Sequence, residues 1–276
     1  MPFVAFQGEF GAFSEQAARS FFRKSLALHP CEHFEDVFRF VAGGRGRRGV
    51  VPIENSVFGI VHENYDLLLR YNLSIVGEVT LKVHHHLMAL PGVQMRDIRF
   101  ILSHPQALGQ CEKFLRRLKG VRTIPYYDTA GAAKMIKEEG RTHAAALASL
   151  RAAKAYHLRI LRRNVESDHH NYTRFLVLSR RPEGGAGKAK TSLVFAVQNV
   201  PGALFRALAV FALRNINLLK IESRPIAGKP GEYLFYLDIA GSEGDAKVRN
   251  GLQHLREVST FLKVLGSYPS GRTVEG

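Results

Sequence analysis

The sequence predicts an α/β protein that ends in a smaller domain of ferredoxin-like topology. Segments with strand-like and helix-like hydrophobic periodicity alternate over residues 1–181, which is the pattern of an α/β domain. The stretch Arg181–Lys188 contains a proline and several glycines and therefore resembles a linker. Beyond it the segments follow the order βαββαβ, the ferredoxin-like arrangement. We therefore predict a first domain over residues 1–181, a linker over 182–189 and a second domain over 190–276.

The elements of the first domain follow from the spacing of its apolar residues. Ser14 is placed to begin the first helix, because a serine side chain can accept a hydrogen bond from a backbone N–H there. A long extended stretch over Leu73–Leu90 alternates through Val79, Leu81 and Val83. The other predicted strands are Phe3–Phe6, Val50–Ile53, Ile98–Leu102, Val121–Tyr126, Ala144–Leu147, a segment about Ile160, and Phe175–Leu178. The predicted helices are Ser14–Phe22, Glu63–Leu69, Ala107–Leu118, Ala130–Lys137 and Leu150–Tyr156.

The second domain shows the same periodic signals in a different order. Its predicted strands are Ser192–Val197, Asn217–Arg224, Tyr233–Ile239 and Phe261–Leu265, and its predicted helices are Gly202–Leu213 and Asp245–Glu257. One helix lies between the first two strands and the other between the last two, so both helices can cover one face of a single sheet.

Composition and charge argue against several classes of protein. Apolar residues make up 46% and charged residues 23%, an ordinary mix for a globular protein. No apolar run is long enough to span a membrane, so no membrane partner is expected. The formal net charge is +15, but the basic residues stand in short dispersed groups. We therefore expect no nucleic-acid partner and interpret the basic surface as one that attracts small anions.

The N-terminal segment and the cysteines bear on the compartment. Residues 1–7 enter a strand directly, without a basic region or a cleavage site, so secretion is not expected. Cys31 and Cys111 are the only cysteines, too few for a disulfide framework. These observations predict a cytoplasmic protein.

Three motifs place polar residues where a strand gives way to a helix. The segment Gly8–Ser14 contains two glycines, which permit a tight turn, and the free N–H groups at the start of the next helix can hold an anion. Glu54, Asn55 and Ser56 follow a buried strand, and Ser103 to Gln106 repeats the design. Ligands of open α/β sheets bind at the carboxyl ends of strands. Turn formation and helix capping explain the same residues without a ligand.

The segment Asn171-Tyr172-Thr173-Arg174-Phe175 opens the last strand of the first domain. An arginine beside a hydroxyl at a strand start could grip a carboxylate through two parallel hydrogen bonds. Alternatively, threonine is there because it favours strands, and the arginine lies at the surface. The spacing alone does not decide between these interpretations.

Two histidine clusters could suggest a metal, but we expect none. His84-His85-His86 and Asp168-His169-His170 lack the spacing of known zinc or calcium motifs, and no cysteine accompanies them. Cys111 is expected to pack in the core. The sequence therefore predicts neither a metal nor another cofactor.

These motifs together resemble the prephenate dehydratase family over nearly the whole chain. The matching pieces are Gly8–Ser14, Pro52–Ser56, Ser103–Leu108 and Asn171–Phe175. The C-terminal part resembles an ACT domain, through Asn199–Leu204 at its first helix and Ile221–Pro225 at its second strand. The resemblance implies two α/β lobes around a cleft, similar to type 2 periplasmic binding proteins, followed by a regulatory ACT domain.

The resemblance also implies an activity and a set of site residues. The expected reaction is the loss of water and CO2 from prephenate to give phenylpyruvate in phenylalanine biosynthesis, by a monofunctional carbon–oxygen hydro-lyase. Thr173 is expected to donate a hydrogen bond to the leaving oxygen, Arg174 to hold the pyruvyl carboxylate and Phe175 to form an apolar wall. The residues expected to bind substrate are Ser14, Glu54, Asn55, Ser56, Ser103, Gln106 and Asn171.

Feedback inhibition by L-phenylalanine is implied by the ACT domain. Gly202 allows close backbone approach at a helix N-terminus, which can hold the carboxylate of an amino acid. The residues expected to bind phenylalanine are Asn199, Gly202, Ala203, Leu204, Asn217, Leu218, Glu222, Ser223 and Arg224. Because such ligands lie between paired ACT units, a homodimer or homotetramer is expected.

Alternatives from the same and from other classes stay open on the sequence. An arogenate dehydratase would accept an amino group where prephenate carries a keto group, and no residue in the sequence decides between the two substrates. A non-catalytic phenylalanine-sensing protein would keep the ACT site without turnover. A solute-binding protein would share the two-lobed architecture but normally needs a secretion signal.

Overall fold

The computed structural model describes residues 3–22, 26–183, 188–226 and 228–275, which divide into two compact units. The first unit comprises residues 1–71, 79–177 and 272–276, and the second comprises residues 72–78 and 178–271. The domain boundaries given from the sequence stay predictions, and residues 184–187 of the predicted linker lie outside the described residues.

The helices and strands are numbered in chain order. They are β1 (Phe3–Gln7), α1 (Phe13–Phe22), β2 (Ala27–Cys31), α2 (Phe34–Ala42), β3 (Gly46–Asn55), β4 (Gly59–Ile60), α3 (His62–Arg70), β5 (Ser74–Lys82), β6 (His86–Ala89), β7 (Phe100–Ser103), α4 (Pro105–Gln110), α5 (Glu112–Leu115), β8 (Arg122–Pro125), α6 (Thr129–Glu138), β9 (Ala144–Ala148), α7 (Leu150–Ala155), β10 (Arg159–Arg162), β11 (Tyr172–Ser179), β12 (Ala189–Ala196), α8 (Ala203–Ala212), β13 (Leu218–Pro225), β14 (Tyr233–Ala240), α9 (Ala246–Val258), β15 (Phe261–Pro269) and β16 (Arg272–Glu275), with a short 3-10 turn at Met95–Asp97.

The first sheet of the first unit has the strand order β16-β5-β11-β3-β1-β2, and β4 pairs with β3. Strand β1 lies parallel to both β2 and β3. Helices α1 and α2 pack on β1 and β3. Val50, Val51 and Ile53 of β3 are all buried, because a central strand covered on both faces needs a continuous apolar run rather than an alternating one. The polar residue Asn55 then ends the strand.

The second sheet of the first unit has the order β10-β6-β9-β7-β8. Helix α6 packs on β9 and buries Ala130, Ala132 and Ala133, while all five residues of β9 are buried. Small side chains on both surfaces let the helix approach the strand closely at high packing density. Helix α6 begins shortly after the carboxyl end of β8.

Two chain segments connect the sheets of the first unit. The predicted extended stretch Leu73–Leu90 is in fact two strands, β5 in the first sheet and β6 in the second, joined through residues 83–85. The chain returns to the first sheet at β11. The N–H of Val83 donates to the carbonyl oxygen of Asn171 at 2.8 Å, so the two connections lie side by side.

The second unit contains a four-stranded antiparallel sheet in the order β13-β14-β12-β15. Helices α8 and α9 bury their apolar residues against it, and Phe195, Phe211, Leu237 and Leu255 lie in this core. The element order βαββαβ is the predicted one. The predicted fold class, two α/β lobes followed by a ferredoxin-like domain, is confirmed.

The structure also shows elements that the sequence analysis missed. Strand β2 was missed because it contains Pro30, which lacks a backbone N–H and argues against a strand. Proline is tolerated there because β2 lies at the edge of its sheet. The predicted helix over Ala107–Leu118 is divided at Cys111 into α4 and α5. No helix in the described ranges is long and apolar enough to cross a membrane.

Candidate active site

A cavity of about 350 Å³ opens in the first unit between elements of its two sheets. Helices α1, α3, α4 and α6 all begin at or next to its walls. The lining residues are Gln7, Ala12, Phe13, Ser14, Phe34, Pro52, Asn55, Phe58, Gly59, Ile60, Val61, Val83, His85, His104, Gln106, Ala107, Gln110, Tyr127, Asp128, Thr129, Thr173 and Phe175.

Half of the residues predicted to contact the substrate line this cavity. They are Ser14, Asn55, Gln106, Thr173 and Phe175. The other five, Glu54, Ser56, Ser103, Asn171 and Arg174, are not among the lining residues. Their positions follow from strand geometry and from local hydrogen bonds.

Neither Arg174 nor Glu54 lines the cavity, and for Arg174 the reason is the alternation of side chains along β11. Successive side chains of a strand point to opposite faces, so Thr173 and Phe175 share the cavity face of β11 and Arg174 points away. Its Nη1 lies 3.4 Å from Oε1 of Glu54, and the two side chains are 11% and 32% exposed. The structure thus places the predicted carboxylate-binding arginine in an ion pair outside the cavity.

Ser103 and Ser56 support the walls of the site. The Oγ of Ser103 is buried and donates to the carbonyl oxygen of Leu147 at 2.6 Å, which joins β7 to β9. The Oγ of Ser56 donates to the carbonyl oxygen of His170 at 2.8 Å and accepts from the N–H of Tyr172 at 2.9 Å. Both hydroxyls are therefore used within the fold.

Asn55 orients the hydroxyl of Thr173. The Oδ1 of Asn55 accepts from the N–H groups of Val57 and Phe58, each at 3.0 Å, so its amide cannot flip without losing both bonds. Its Nδ2 then donates to Thr173 Oγ1 at 2.9 Å and to Asn171 Oδ1 at 2.7 Å. Because Thr173 Oγ1 already accepts a hydrogen bond, its own hydrogen is left for a group in the cavity. Asn171 stabilises this arrangement by accepting the second hydrogen bond from the Asn55 amide.

The loop Gly8–Ser14 packs closely against the start of α7, and its role in anion binding stays a prediction. Gly11 has φ +94°, and an added Cβ would lie only 2.6 Å from the Cα of Ala152. Its carbonyl oxygen accepts a hydrogen bond from Ser149 Oγ at 2.6 Å. The glycine is thus required for close packing, which holds Ser14 and the start of α1 at the cavity wall.

The lining residues offer neutral donors and helix starts in place of basic side chains. Among the described lining residues none is lysine or arginine. Helices α1 and α3 begin at the wall, where unpaired N–H groups and the helix dipole favour an anion, whereas the start of α6 is capped by Asp128. The amides of Gln106 and Gln110 line the same cavity. The site can therefore hold carboxylates through hydrogen bonds without a direct ion pair.

The carboxyl group that does line the cavity is Asp128, which the sequence analysis missed. Its Oδ1 accepts from the N–H of Gly131 at 2.8 Å, so it caps α6. Burial raises the pKa of Asp128 above its usual value, although the backbone hydrogen bonds from Gly131 and Ala130 oppose the shift.

Further lining residues were also missed by the sequence analysis. They are Gln7, Phe58, His85, Gln110, Tyr127 and Thr129, besides Asp128, whereas Phe13 and His104 lie within motifs that the sequence had indicated. Gln7 ends β1, and Tyr127 to Thr129 join β8 to α6, so the strand-end rule could have found them. Phe58, His85 and Gln110 carry no local signal of this kind.

The histidine cluster divides between two environments. His84 Nδ1 lies 2.7 Å from Oε1 of Glu166, whereas His85 lines the cavity. Within the described residues no group of three or more His, Cys, Asp and Glu side chains is arranged to hold a metal ion.

The residues predicted to bind phenylalanine lie on two elements of the second unit. Gly202 is the N-cap of α8 and has φ +78°, a left-handed conformation that favours glycine. Asn199, Ala203 and Leu204 flank it. The others, Asn217, Leu218, Glu222, Ser223 and Arg224, lie at or on β13, the edge strand of the sheet. Their role in ligand binding stays a prediction.

Comparison with known proteins identifies relatives over the whole chain. Residues 4–183 match the family model described as Prephenate dehydratase, and residues 191–253 match the ACT domain model. The Arabidopsis thaliana protein named arogenate dehydratase/prephenate dehydratase 2, chloroplastic, is 50% identical over 282 residues, which cover 98% of this chain and 74% of the relative.

Two solved structures superpose closely on this one. The structure titled prephenate dehydratase in complex with L-Phe from Arthrobacter aurescens has a TM-score of 0.88 and 31% identity, covering 97% of this chain and 89% of that one. The structure titled as GqqA, a quorum quenching acylase, has a TM-score of 0.88 and 36% identity, covering 97% and 98%.

The expected cytoplasmic location is wrong. The Arabidopsis thaliana relative described above and two others from that plant, at 46% and 44% identity, are named chloroplastic. A low cysteine count argues only against an oxidising compartment, and it does not separate the compartments in which thiols stay reduced.

Proposed function

This chain belongs to the prephenate dehydratase family, and we propose that it acts mainly on arogenate, with prephenate as a second substrate. The family and the enzyme class predicted from the sequence, a decarboxylating hydro-lyase, are confirmed. Loss of water and CO2 from arogenate gives phenylalanine, and the same loss from prephenate gives phenylpyruvate. Relatives at 50% and 49% identity are named for arogenate, alone or together with prephenate, which supports the order of preference proposed here.

The hydrogen bond from Asn55 to Thr173 carries the proposed mechanism. The bond between the ring and its carboxylate breaks, and the released electron pair moves through the ring as hydroxide leaves from the opposite carbon. Aromatisation drives the reaction, so the protein chiefly positions the substrate and assists the leaving oxygen. Thr173 Oγ1 accepts from Asn55 at 2.9 Å, so its hydrogen is available to that oxygen. A neutral threonine is a weak acid, and we assign it a positioned hydrogen bond in the transition state.

Neutral groups hold the carboxylates in this proposal. A strong cation at the ring carboxylate would stabilise the charge that decarboxylation must disperse and would raise the barrier. The lining amides of Gln106 and Gln110, together with Ser14 and the first turns of α1 and α3, supply donors without that effect. Arg174, which the sequence predicts to hold a carboxylate, has no substrate contact in this proposal, because it pairs with Glu54 and does not line the cavity.

The test of the activity is direct. Purified protein is supplied with arogenate and with prephenate in separate reactions, and phenylalanine and phenylpyruvate are quantified. We expect a higher kcat/KM for arogenate, and a loss of both activities in Thr173→Val, which keeps the side-chain volume and removes the hydroxyl. Absence of product from both substrates would refute the proposed function, and a higher kcat/KM for prephenate would reverse the order of substrates.

We also propose that phenylalanine binds the second unit and inhibits the enzyme as a homodimer or homotetramer in the plastid. The ACT match and the phenylalanine complex of the Arthrobacter aurescens protein support the regulation, and the names of the plant relatives support the plastid. Phenylalanine inhibits if it binds more tightly to the second unit when the catalytic cavity is in one arrangement than when it is in another. Turnover and molar mass, measured together with and without phenylalanine, test this proposal; a monomer with unchanged turnover would contradict it.

A further inference from the structure

His85 forms a buried contact with one of the cavity amides. It lies in the connection between β5 and β6, its side chain is only 2% exposed, and it lines the cavity. Its Nε2 is 2.5 Å from Oε1 of Gln110, the last residue of α4. The ring of Phe13 packs edge-on against the imidazole with 5.4 Å between centroids. The histidine is thus held on one side by an aromatic ring and on the other by an amide.

The hydrogen-bond partners of His85 determine where its proton lies. An amide oxygen can only accept, so the short contact requires a proton on Nε2. The Nδ1 atom is buried and has no hydrogen-bond partner among the described residues, so a proton there would meet no acceptor. Burial lowers the pKa of His85, and the hydrogen bond to Gln110 does not reverse that shift. The imidazole is therefore neutral near pH 7 and carries its single proton on Nε2.

This arrangement fixes the orientation of the Gln110 side chain. Because Oε1 is held by His85, the NH2 group is the part of the amide left for the cavity, and it donates to no other described residue. The backbone carbonyl oxygen of Gln110 accepts from the N–H of Ser167 at 2.6 Å, which anchors the residue itself. A flipped amide would place NH2 against the Nε2–H of His85 and present its oxygen to the substrate.

We propose that His85 is a positioning residue that acts through Gln110, keeping the amide NH2 directed at a carboxylate of the substrate. The inference rests on the proposed function, because it needs an anionic substrate in this cavity. Without His85 the amide would sample both orientations, and in one of them its oxygen would repel the carboxylate. A neutral histidine performs this role without adding a cation next to the group that must lose its charge.

The test compares His85→Leu, Gln110→Leu and the double variant with the wild-type protein. We expect KM to rise about tenfold in His85→Leu with kcat within about threefold, because a contact present in both ground and transition states is weakened. The double variant should have the same KM as Gln110→Leu alone, since His85 acts only through that amide. His85→Gln, which can place a donor near the position of Nε2, should recover KM to within about threefold of wild type. His143→Leu, at an exposed histidine away from the cavity, controls for loss of a histidine.

Two outcomes would overturn the proposal. One is a double variant whose KM rises by the product of the two single effects. The other is a His85 whose ¹⁵N spectrum shows a protonated Nδ1, with the resonance assigned by its loss in His85→Gln. The spectrum needs no turnover, so it tests the inference even if neither arogenate nor prephenate is converted, a result that would refute only the proposed function. Thermal unfolding of each variant verifies that it is folded.

Discussion

Replacing Asn55 by aspartate inverts one hydrogen bond at the centre of the proposed mechanism. The exchange is isosteric, and an aspartate oxygen can still accept from the N–H groups of Val57 and Phe58, as Oδ1 of Asn55 does. The other oxygen, however, replaces the Nδ2 donor that lies 2.9 Å from Thr173 Oγ1. Because a carboxylate only accepts, the Thr173 hydroxyl must turn its hydrogen toward residue 55. The leaving oxygen of the substrate then loses its donor.

The size of the effect follows from the number of donors removed. One preorganised donor to a developing negative charge contributes about 2.7–4 kcal/mol, or about 10²–10³ in kcat. The exchange also sets the new oxygen 3.3 Å from the carbonyl oxygen of Tyr172, but Asn171, which faces the same amide at 2.7 Å, can turn its own NH2 toward the new oxygen and offset the repulsion. That amide nitrogen has no hydrogen-bond partner among the described residues. We therefore expect kcat to fall by about 10²–10³ with thermal unfolding close to that of the wild type.

The assay is steady-state turnover of arogenate and of prephenate by Asn55→Asp. Glu54→Gln is the matched control: it makes the converse exchange one residue earlier, at a side chain that pairs with Arg174 and is not a lining residue, and should keep kcat within about threefold. A folded Asn55→Asp protein with kcat within tenfold of wild type would show that Asn55 does not set the direction of the Thr173 hydroxyl. An equal loss in Glu54→Gln would indicate a general effect of charge at this strand end.

Three further changes test other parts of the molecule. Thr173→Ser should keep kcat within about tenfold while Thr173→Val lowers it by about 10²–10³, and equal losses in steady-state turnover would argue against a hydroxyl donor. Burial raises the pKa of Glu15, but hydrogen bonds from the Gly11 N–H and from Arg19 outweigh it and leave the pKa below its usual 4.5. The stability that ionised Glu15 adds is present above its usual pKa and is lost as the pH falls through its lower folded pKa. The midpoint temperature of thermal unfolding should therefore fall less for Glu15→Gln than for the wild type between about pH 6 and pH 3. Gly202→Ala strains a left-handed N-cap and should raise the phenylalanine concentration for half inhibition about tenfold; an unchanged value would exclude this helix start as the phenylalanine site.

Patterns of a few consecutive residues predicted those parts of the site that depend on neighbours in the sequence. Asn55 and Ser14 follow the rule that polar residues at strand ends and helix starts meet at one edge of a sheet. The alternation along β11 places Thr173 on the cavity face and Arg174 on the other face, so a contact between Arg174 and the substrate stays a prediction.

Other features depend on residues far apart in the chain. His85 meets Gln110 only because the connection between the sheets passes the end of α4, which no periodicity encodes. Strand β16 is four residues long, alternates between half-buried and exposed positions and contains little apolar surface, so its pairing with β5 had no signal in the sequence. Elements of this kind are set by tertiary pairing rather than by local preference.

The distribution of charge separates the capture of the substrate from its conversion. The chain has a formal net charge of +15, yet none of the described residues that line the cavity is lysine or arginine. A basic exterior raises the rate at which a small anion arrives, and this effect falls with ionic strength. A cation inside the cavity would instead bind the ring carboxylate most strongly before decarboxylation. Such binding would lower KM and at the same time raise the activation barrier of the decarboxylation. In the proposed mechanism, neutral amides and helix starts hold the same carboxylate while binding its charge less tightly, so they favour the transition state in which that charge spreads into the ring.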